Sequence, residues 1–521
     1  MKKTLLTIAV ALMAIVTNAQ TWTTPAVWNA SIDAVTEGEQ PAYLHCSVDA
    51  DGSVYATGSY NKDFSFANQS IANADQLTSA YVAKYKADGT EEWVATLFGG
   101  VSINAITTDA EGNAYVAGTF QDEVELTGAN GEKKTINSPL SISAYVAKIS
   151  KAGVVEAVKT FTSETNADIL SIVGDPYDMG FDMSIYDMSY NDPVYVRPIK
   201  LQADGDKVYM SVRFVGDIAE LGWQGAYQNM FDMMIFDLRS FGILSLNAKD
   251  LSGATSVANV QPTGRVLYTD EGNNPESLTF TVANDEVYAA FTGFNDITLA
   301  TAGGTEDFTM PAHSVVVAKI GGASKLFSVQ GHEKFFVTDA VNAMAIEEGK
   351  LYIGGSFYDQ LPFNNEIVAK GTDLYVAALN TTDFGVAWTA VTGYEEEDSI
   401  QQCEVFGNLV VNSGKVYFDG VAESNDGKTL LATLAYNVTA DGTMSEVKDA
   451  AVYASICDNG NGTTAAMTTA GALSVFTSPA SGVQTVKTAV KADDKVYNLN
   501  GQQVTTPSKG LYIMNGKKVL F

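Results

Sequence analysis

Carboxylates and aromatic rings are interleaved within residues 163–193, and no other stretch of the sequence favours ligand chemistry as clearly. Aromatic rings stack on the apolar faces of sugars, and carboxylates accept hydrogen bonds from hydroxyl groups. Carboxylate oxygens are also the ligands that Ca²⁺ prefers. The candidate binding residues of this stretch are Asp175, Tyr177, Asp178, Asp182, Tyr186, Asp187, Tyr190 and Asp192.

Three interpretations of this acidic stretch remain open. It forms an ordered loop that packs on its own aromatic and methionine side chains, it binds a partner, or it holds a metal ion. The metal ranks last because the spacing D-x-[DN]-x-[DN]-G-x₅-E of a calcium loop does not occur. We therefore predict no metal site here.

A second acidic motif, Asp49-Ala50-Asp51-Gly52, also looks like a calcium loop. The equivalent slot sixty residues later holds Asp109-Ala110-Glu111-Gly112. Such pairs ending in glycine supply the positive φ angles that close a short hairpin. Turn formation therefore explains the motif without a metal.

The sequence contains few residues in the patterns of known catalytic motifs. No H-E-x-x-H, G-x-S-x-G, phosphate-binding or dinucleotide-binding pattern occurs, and the chain has three histidines. We predict no catalytic residues and no cofactor. A pair of separated carboxylates for glycoside hydrolysis remains an alternative, because its geometry cannot be read from a sequence.

Most of the chain consists of copies of a repeated unit, and residues 163–193 form an insertion between the second and third copies. Each copy has a short turn followed by an alternating strand with a tyrosine near its start, and alternation of this kind indicates a β-strand. Apolar strands lie before the turn and after the tyrosine strand, as in A-Y-V-A-K-Y from Ala80, and a fourth strand follows a second turn. The six tyrosines are Tyr55, Tyr115, Tyr209, Tyr288, Tyr352 and Tyr417.

Four antiparallel strands per unit predict an all-β fold, a β-propeller of seven blades, with six blades as the runner-up. Residues 452–478 supply three strands of a last blade. Residues 26–34, which contain Trp28, resemble the fourth strands of other units. We predict that the strand of Trp28 completes the last blade and closes the ring non-covalently, which removes two exposed sheet edges.

The connections of a four-stranded meander alternate between two faces. Those between strands one and two, and between strands three and four, are short here, and we call their side the short-turn face. Those between strands two and three, and between blades, emerge on the long-connection face. Long loops on a rigid scaffold are where binding sites usually lie. The long connections are residues 61–79, 121–143, 293–313 and 357–373.

The first two units, D-A-D-G-S-V-Y-A-T-G-S and D-A-E-G-N-A-Y-V-A-G-T, with the later A-Y-V-A-K, resemble the bacterial SBBP-type β-propeller repeat. The third, fourth and sixth units depart from that pattern, for example at Val212 and Arg213. The resemblance implies a propeller of an exported protein, and it implies no common reaction or ligand.

The last residues change in character. A linker precedes strand pairs with the turns Asn500-Gly501 and Asn515-Gly516, which predict a short C-terminal β-hairpin module. The segment resembles the C-terminal sorting domain of Bacteroidetes type IX secretion, and a plain hairpin cap is the alternative. The expected domains are a signal peptide at 1–19, the propeller at 20–483, and the linker with the tail at 484–521.

The N-terminus and the charge indicate the compartment and exclude some partners. Lys2 and Lys3 precede a short apolar run and a small-residue cleavage site, which predicts an exported protein, secreted, periplasmic or at the cell surface. No apolar run is long enough to predict a membrane span. The formal net charge of −30 opposes nucleic-acid binding, which depends on Lys and Arg.

The three cysteines, Cys46, Cys403 and Cys457, lie in strand-like runs, and we interpret them as buried free thiols rather than disulfides. The function predicted from all these patterns is a non-catalytic module that binds a protein or glycan ligand on the long-connection face. The alternative is a secreted enzyme, a hydrolase or lyase, that degrades glycans with loop carboxylates.

Overall fold

The computed structural model describes residues 26–477, except 74–77, 165–193, 231–233, 264–265, 268–273, 312, 330–338, 395–401, 425–429 and 449, together with 496–497, 503–504, 511–514 and 517–520. The chain divides into two compact units, Met1–Ser478 and Pro479–Phe521.

The first unit is built almost wholly from β-strands. Its strands up to the middle of the chain are β1 (Trp28–Ser31), β2 (Cys46–Val48), β3 (Val54–Tyr60), β4 (Phe64–Phe66), β5 (Gln69–Ile71), β6 (Ser79–Tyr85), β7 (Glu91–Phe98), β8 (Ala105–Thr108), β9 (Ala114–Thr127), β10 (Lys133–Ile149), β11 (Val155–Phe161), β12 (Tyr195–Asp204), β13 (Lys207–Val215), β14 (Ala226–Met230), β15 (Met234–Leu238), β16 (Ser240–Asn247) and β17 (Thr255–Pro262). A 3₁₀ turn, Ala219–Leu221, lies between β13 and β14.

The remaining strands of this unit continue the same pattern. They are β18 (Val266–Leu267), β19 (Asn274–Ala283), β20 (Glu286–Thr301), β21 (Gly304–Met310), β22 (Ser314–Lys319), β23 (Ser324–Ser328), β24 (Ala340–Glu347), β25 (Lys350–Leu361), β26 (Asn364–Asn380), β27 (Val386–Thr392), β28 (Gln402–Asn412), β29 (Lys415–Ser424), β30 (Leu430–Val438), β31 (Met444–Glu446), β32 (Tyr453–Asp458), β33 (Thr463–Thr468) and β34 (Ala472–Thr477).

Strand pairing groups these elements into four-stranded antiparallel meanders, and the fold is a β-propeller. Within the described residues there are seven such meanders, which we number blades one to seven. Their strands are β2-β3-β6-β7, β8-β9-β10-β11, β12-β13-β16-β17, β19-β20-β22-β23, β24-β25-β26-β27, β28-β29-β30-β31 and β32-β33-β34-β1. The first strands contact one another in that order, and β32 contacts β2, so the blades form a closed ring.

The ring is closed by a strand from the other end of the chain. Trp28 pairs with Val475, and Ser31 pairs with Ala472, in an antiparallel ladder between β1 and β34. The prediction that the strand of Trp28 completes the last blade is confirmed. The ladder covers the edge of β34 and gives blade seven four strands, as many as its neighbours have.

The middle strands of a blade are covered on both sides because neighbouring blades pack against both of their faces. Every residue of β3 and of β6 is buried. The six predicted tyrosines all lie in second strands, which confirms the strand assignment of the repeat. Alternation along these strands therefore separates two interblade contacts rather than a core face from a solvent face.

The long connections differ from the expectation of loops. In blade two, β9 and β10 continue as a hairpin past the blade, and its Leu126 pairs with Leu97 on the outer strand of blade one. In blade four, β20 and β21 form a similar hairpin, and Leu299 pairs with Val260 of blade three. The loop expectation is wrong there because alternating apolar residues, such as Val124 and Leu126, bury one side of the hairpin.

The second unit contains four short strands, β35 (Val496–Tyr497), β36 (Gln503–Val504), β37 (Leu511–Met514) and β38 (Lys517–Leu520). They form one antiparallel sheet in the order β36-β35-β37-β38, rather than two separate hairpins. In the described part of the chain, no helix is both long enough and apolar enough to cross a membrane.

Candidate functional site

The eight candidate binding residues between Asp175 and Asp192 lie outside the described residues. The structure places the ends of their stretch between blade two, which ends at Phe161, and β12, the first strand of blade three. Their role therefore stays a prediction. The described residues offer three other regions where chemistry could be placed, namely the two faces and the central channel.

The acidic motif on the short-turn face is a turn. Oδ1 of Asp49 accepts hydrogen bonds from the backbone N–H groups of Asp51 and Ser53, and its Oδ2 lies 3.3 Å from the hydroxyl oxygen of Tyr55. Oδ1 of Asp109 accepts the backbone N–H of Asn113, and its Oδ2 lies 2.8 Å from the hydroxyl oxygen of Tyr115. The interpretation of this motif as turn chemistry is confirmed, because the carboxylate's acceptors are used within the hairpin.

Tryptophans of three fourth strands each join their blade to the next on the same face. Nε1 of Trp93 donates to the carbonyl of Lys151 at 3.0 Å, in the turn between strands three and four of blade two. Trp388 donates to Ala440 of blade six in the same way. Trp28 donates to Ala87 at 3.0 Å, so the closing strand makes the contact that the fourth strands of blades one and five make.

The tyrosines of the second strands make a parallel set of ties. The hydroxyl of Tyr55 donates to the carbonyl of Gly112 in blade two, and the hydroxyl of Tyr115 donates to the carbonyl of Ala248 in blade three. Burial raises the pKa of both phenols, so both remain protonated donors. The residues that recur in the repeat therefore stabilise the ring.

The long-connection face carries apolar side chains that no repeat predicts. Tyr358 is 36% exposed, Val368 57%, Val405 45% and Leu430 53%. They lie on the hairpin of β25 and β26 in blade five and on the adjoining ends of β28 and β30 in blade six. We call these four residues the apolar rim. All four lie on the same face of the propeller, and exposed apolar surface concentrated on one face is typical of interaction sites.

Buried polar groups hold part of this rim in place. Nδ1 of His313 lies 3.3 Å from Oδ1 of Asp339, and both side chains are almost fully buried. The same Oδ1 accepts the backbone N–H of Tyr358 at 3.0 Å, and the imidazole of His313 stacks on the ring of Tyr358. The pair thus fixes the start of the blade five hairpin.

A carboxyl with a shifted pKa lies beside the apolar rim. Glu404 precedes Val405 in β28 and is 3% exposed. Its Oε1 accepts the backbone N–H of Tyr394 at 3.1 Å. Burial raises the pKa of Glu404, and the nearby Asp373 carboxylate raises it further. Its charge near neutral pH is therefore more costly than that of an exposed glutamate.

The central channel contains a cavity of about 470 Å³ between the innermost strands of blades one, two, three, six and seven. Lys200 of β12 lines it, and its Nζ donates to the carbonyls of Phe280 and Met344 on the first strands of blades four and five. Burial lowers the pKa of Lys200 to about 8. Burial also lowers the pKa of His45, which lines the same cavity.

Sequence reasoning did not find the rim, Lys200 or the cavity. Lys200 reads as an ordinary strand lysine, because only the ring brings the carbonyls of blades four and five towards its side chain. Val405 and Leu430 read as core residues, because exposure depends on which neighbours cover a strand end. A bulge between Phe406 and Leu409 marks the first of these strands as irregular, but only the pairing with β29 reveals it.

Comparisons with known proteins identify no family for this chain. No family model matches the sequence, and no curated protein matches it. Similar solved structures include BamB from Moraxella catarrhalis, at 12% identity, with 86% of this chain and 99% of that chain covered and a TM-score of 0.33.

Two further structures are similar at the same level. The β-propeller domain of Cps50 (Swd1) from Myceliophteria thermophila has 6% identity, coverage of 86% and 99%, and a TM-score of 0.38. YCF48 bound to D1 peptide has 10% identity, coverage of 87% and 99%, and a TM-score of 0.36. Scores this low leave the fold assignment to the strand pairing described above, which makes the chain an all-β propeller.

Proposed function

We propose that this protein is an exported, non-catalytic propeller that binds a protein or glycan ligand on its long-connection face. The observation that carries the proposal is the apolar rim of Tyr358, Val368, Val405 and Leu430. On the short-turn face, by contrast, the repeated side chains of the described residues are used in ties between blades. A ligand can only be bound by side chains that are not already engaged in contacts within the fold.

The chemistry of the rim favours a polypeptide over a glycan. Three of its four side chains are aliphatic, whereas sugars are bound mainly by flat aromatic faces. The chain carries a formal charge of −30, Asp359 and Glu366 lie on the blade five strands of the rim, and Glu423 lies on β29 between its two blade six strands. Complementarity of charge therefore favours a basic segment with apolar residues as the ligand.

The test uses two arrays, one of glycans and one of basic-apolar peptides, probed with the mature protein. The variant Val405→Asp/Leu430→Asp should lose binding by at least about tenfold, since charged groups would replace the buried centre of the contact. Val386→Asp is the matched control, because Val386 is 37% exposed on blade five but lies at the short-turn face. Equal binding by both variants would contradict the proposal.

A second candidate, the glycan-degrading enzyme, is favoured by Glu404 and Asp373. A carboxyl with a raised pKa near a second carboxyl group is the arrangement that general acid catalysis uses. The substitution Glu404→Gln separates the candidates. Loss of polysaccharide turnover with binding retained supports the enzyme, whereas unchanged behaviour of a protein that shows no turnover supports the binding module.

Export and sorting belong to the same proposal. Residues 1–19 are proposed to be removed as a signal peptide, and residues 484–521 to act as a sorting tail related to type IX secretion. The SBBP-like repeat and the separate small sheet at the C-terminus support this. Expression in a bacterium with that secretion system tests it, because a chain lacking residues 479–521 should stay in the periplasm and begin at Gln20.

A further inference from the structure

Two thiols meet where the first and last blades adjoin. Sγ of Cys457, on β32 of blade seven, lies 3.3 Å from Sγ of Cys46, on β2 of blade one. The residues are 411 positions apart in the chain, yet the ring brings their strands together. Both thiols are free in the structure.

The strands that carry the thiols are held together by further contacts. The backbone N–H of Cys46 donates to Oγ of Ser455, and its Sγ lies 3.5 Å from the carbonyl of Ala465. Nδ2 of Asn459 donates to the carbonyl of Asp49 in the neighbouring turn. The backbone on either side of the thiols is therefore fixed, as a disulfide requires.

Both cysteines lie next to the central channel. Cys46 and Cys457 both line the channel cavity of about 470 Å³, and Ile199, which lines the same cavity, is 38% exposed. Cys46 is 5% exposed and belongs to the core between blades one and seven, so a small reagent reaches the sulfur atoms through local opening of the strands beside the cavity. Hydrogen bonding from Cys457 lowers the pKa of Cys46, which favours a thiolate within the pair.

We propose that Cys46 and Cys457 form a disulfide that closes the propeller ring covalently, independently of the function proposed above. The oxidant is a small disulfide. One thiolate attacks it, its S–S bond breaks, and one thiolate leaves and takes a proton from water. The second cysteine thiolate then attacks the mixed disulfide, a protein S–S bond forms, and a second small thiol is released.

This bond has a physical consequence for the ring. Without it, the ring is closed by non-covalent contacts, among them the ladder of β1 with β34 within blade seven. A disulfide between residues this far apart constrains the unfolded chain strongly, because the loop it closes is long. The oxidised ring therefore resists opening at the seam more than the reduced ring does.

The test compares the mature protein treated with oxidised glutathione and with dithiothreitol. Each sample is alkylated in denaturant, and its intact mass and peptides are measured. The sequence has three cysteines, and we expect one alkylated thiol after oxidation and three after reduction, with a linked peptide pair containing Cys46 and Cys457. The denaturant midpoint should rise on oxidation.

Variants distinguish this link from other oxidation. Cys403→Ser should still lose both remaining thiols on oxidation, whereas Cys46→Ser and Cys457→Ser should show no rise in midpoint. Three alkylated thiols after oxidation, a link to Cys403, or a covalent dimer would overturn the proposal. The peptide map of the unsubstituted protein decides the matter even if a variant fails to fold.

Discussion

The short-turn face and the long-connection face of this propeller use their residues differently. On the short-turn face the same contacts recur between blades, including Trp93 to Lys151 and Trp388 to Ala440. On the long-connection face each blade differs, with paired hairpins on blades two and four and exposed apolar side chains on blades five and six. The repeated residues thus stabilise the ring, and the residues that differ between blades are the ones available to bind a ligand.

The largest effect is expected from breaking a repeated tie. Trp93 is 4% exposed, packs edge-on against Tyr55, and donates to Lys151. Trp93→Ala should lower the free energy of unfolding by about 3–5 kcal/mol through the cavity and the lost hydrogen bond. Denaturant unfolding measures this. Trp93→Phe keeps most of the ring and should cost clearly less, and equal costs would show that the tie is unimportant.

A glycine under such a tryptophan should be nearly as sensitive. Gly153 has φ of +84°, and a Cβ there would lie 2.8 Å from Cδ2 of Trp93 and 2.7 Å from Cβ of Ala129. Gly153→Ala should cost about 2–4 kcal/mol of unfolding free energy, because it adds a clash to the strain of a left-handed backbone.

The control for this glycine is Gly253, which has φ of +66° and open space around its Cβ position. Gly253→Ala should cost about 1–2 kcal/mol, from backbone strain alone. If the two alanine variants unfold at the same denaturant concentration, the packing of Trp93 on the turn contributes nothing to the ring.

A buried carboxyl that does not recur in the repeat should make the stability of the protein depend on pH. Asp419 in blade six is 4% exposed, and burial raises its pKa from 3.8 to about 6, despite hydrogen bonds from Asn408 and Tyr417. Because the folded-state pKa is the higher one, this carboxyl favours the folded state below pH 3.8. That contribution is lost as the pH rises through about 6.

The substitution Asp419→Asn isolates this effect. Between pH 4 and pH 7 the unsubstituted protein should lose about 2–3 kcal/mol of unfolding free energy relative to the variant. Denaturant unfolding at several pH values measures the difference. A constant difference across this range would mean that the carboxyl titrates normally in the folded state.

The smallest effect on stability is expected at the apolar rim. Val405→Asp and Leu430→Asp should change the free energy of unfolding by less than about 0.5 kcal/mol, since both side chains are already exposed. Thermal unfolding of both variants, with Val386→Asp as the control, checks this. A large loss of stability at Val405 or Leu430 would mean that the rim is part of the core, and the contrast between the two faces would fail.

The sequence was sufficient for the repeated part of the fold. The alternation around Tyr55 and its equivalents, the turn at Asp49 and the fourth strand containing Trp28 all depend on local spacing, which a sequence displays directly. The closing strand was predicted because Trp28 lies in a run like that of Trp93. The structure adds that both indoles make the same hydrogen bond.

The remaining features depend on contacts between distant residues. Lys200 meets the carbonyls of Phe280 and Met344 only because the ring brings three blades together. Cys46 and Cys457 are free thiols, as predicted, but the ring places their sulfur atoms 3.3 Å apart, and the sequence contains a signal for this proximity.

That signal lies in the register of the two first strands. The turn contacts of Asn459 match those of Asp49, so Cys46 corresponds to Ile456, and Cys457 is one residue further along. Successive residues of a strand point to opposite faces. In adjoining blades, that offset of one residue turns the two thiols towards each other.

The most direct test of the contrast between the faces is hydrogen–deuterium exchange of the mature protein, free and bound to the strongest binder from the two arrays. We predict that binding slows exchange at residues 358–368, 402–406 and 430–433 on the long-connection face. Exchange in the turns of the short-turn face, such as residues 86–90 and 150–154, should stay unchanged. Slower exchange confined to the short-turn face would contradict the account.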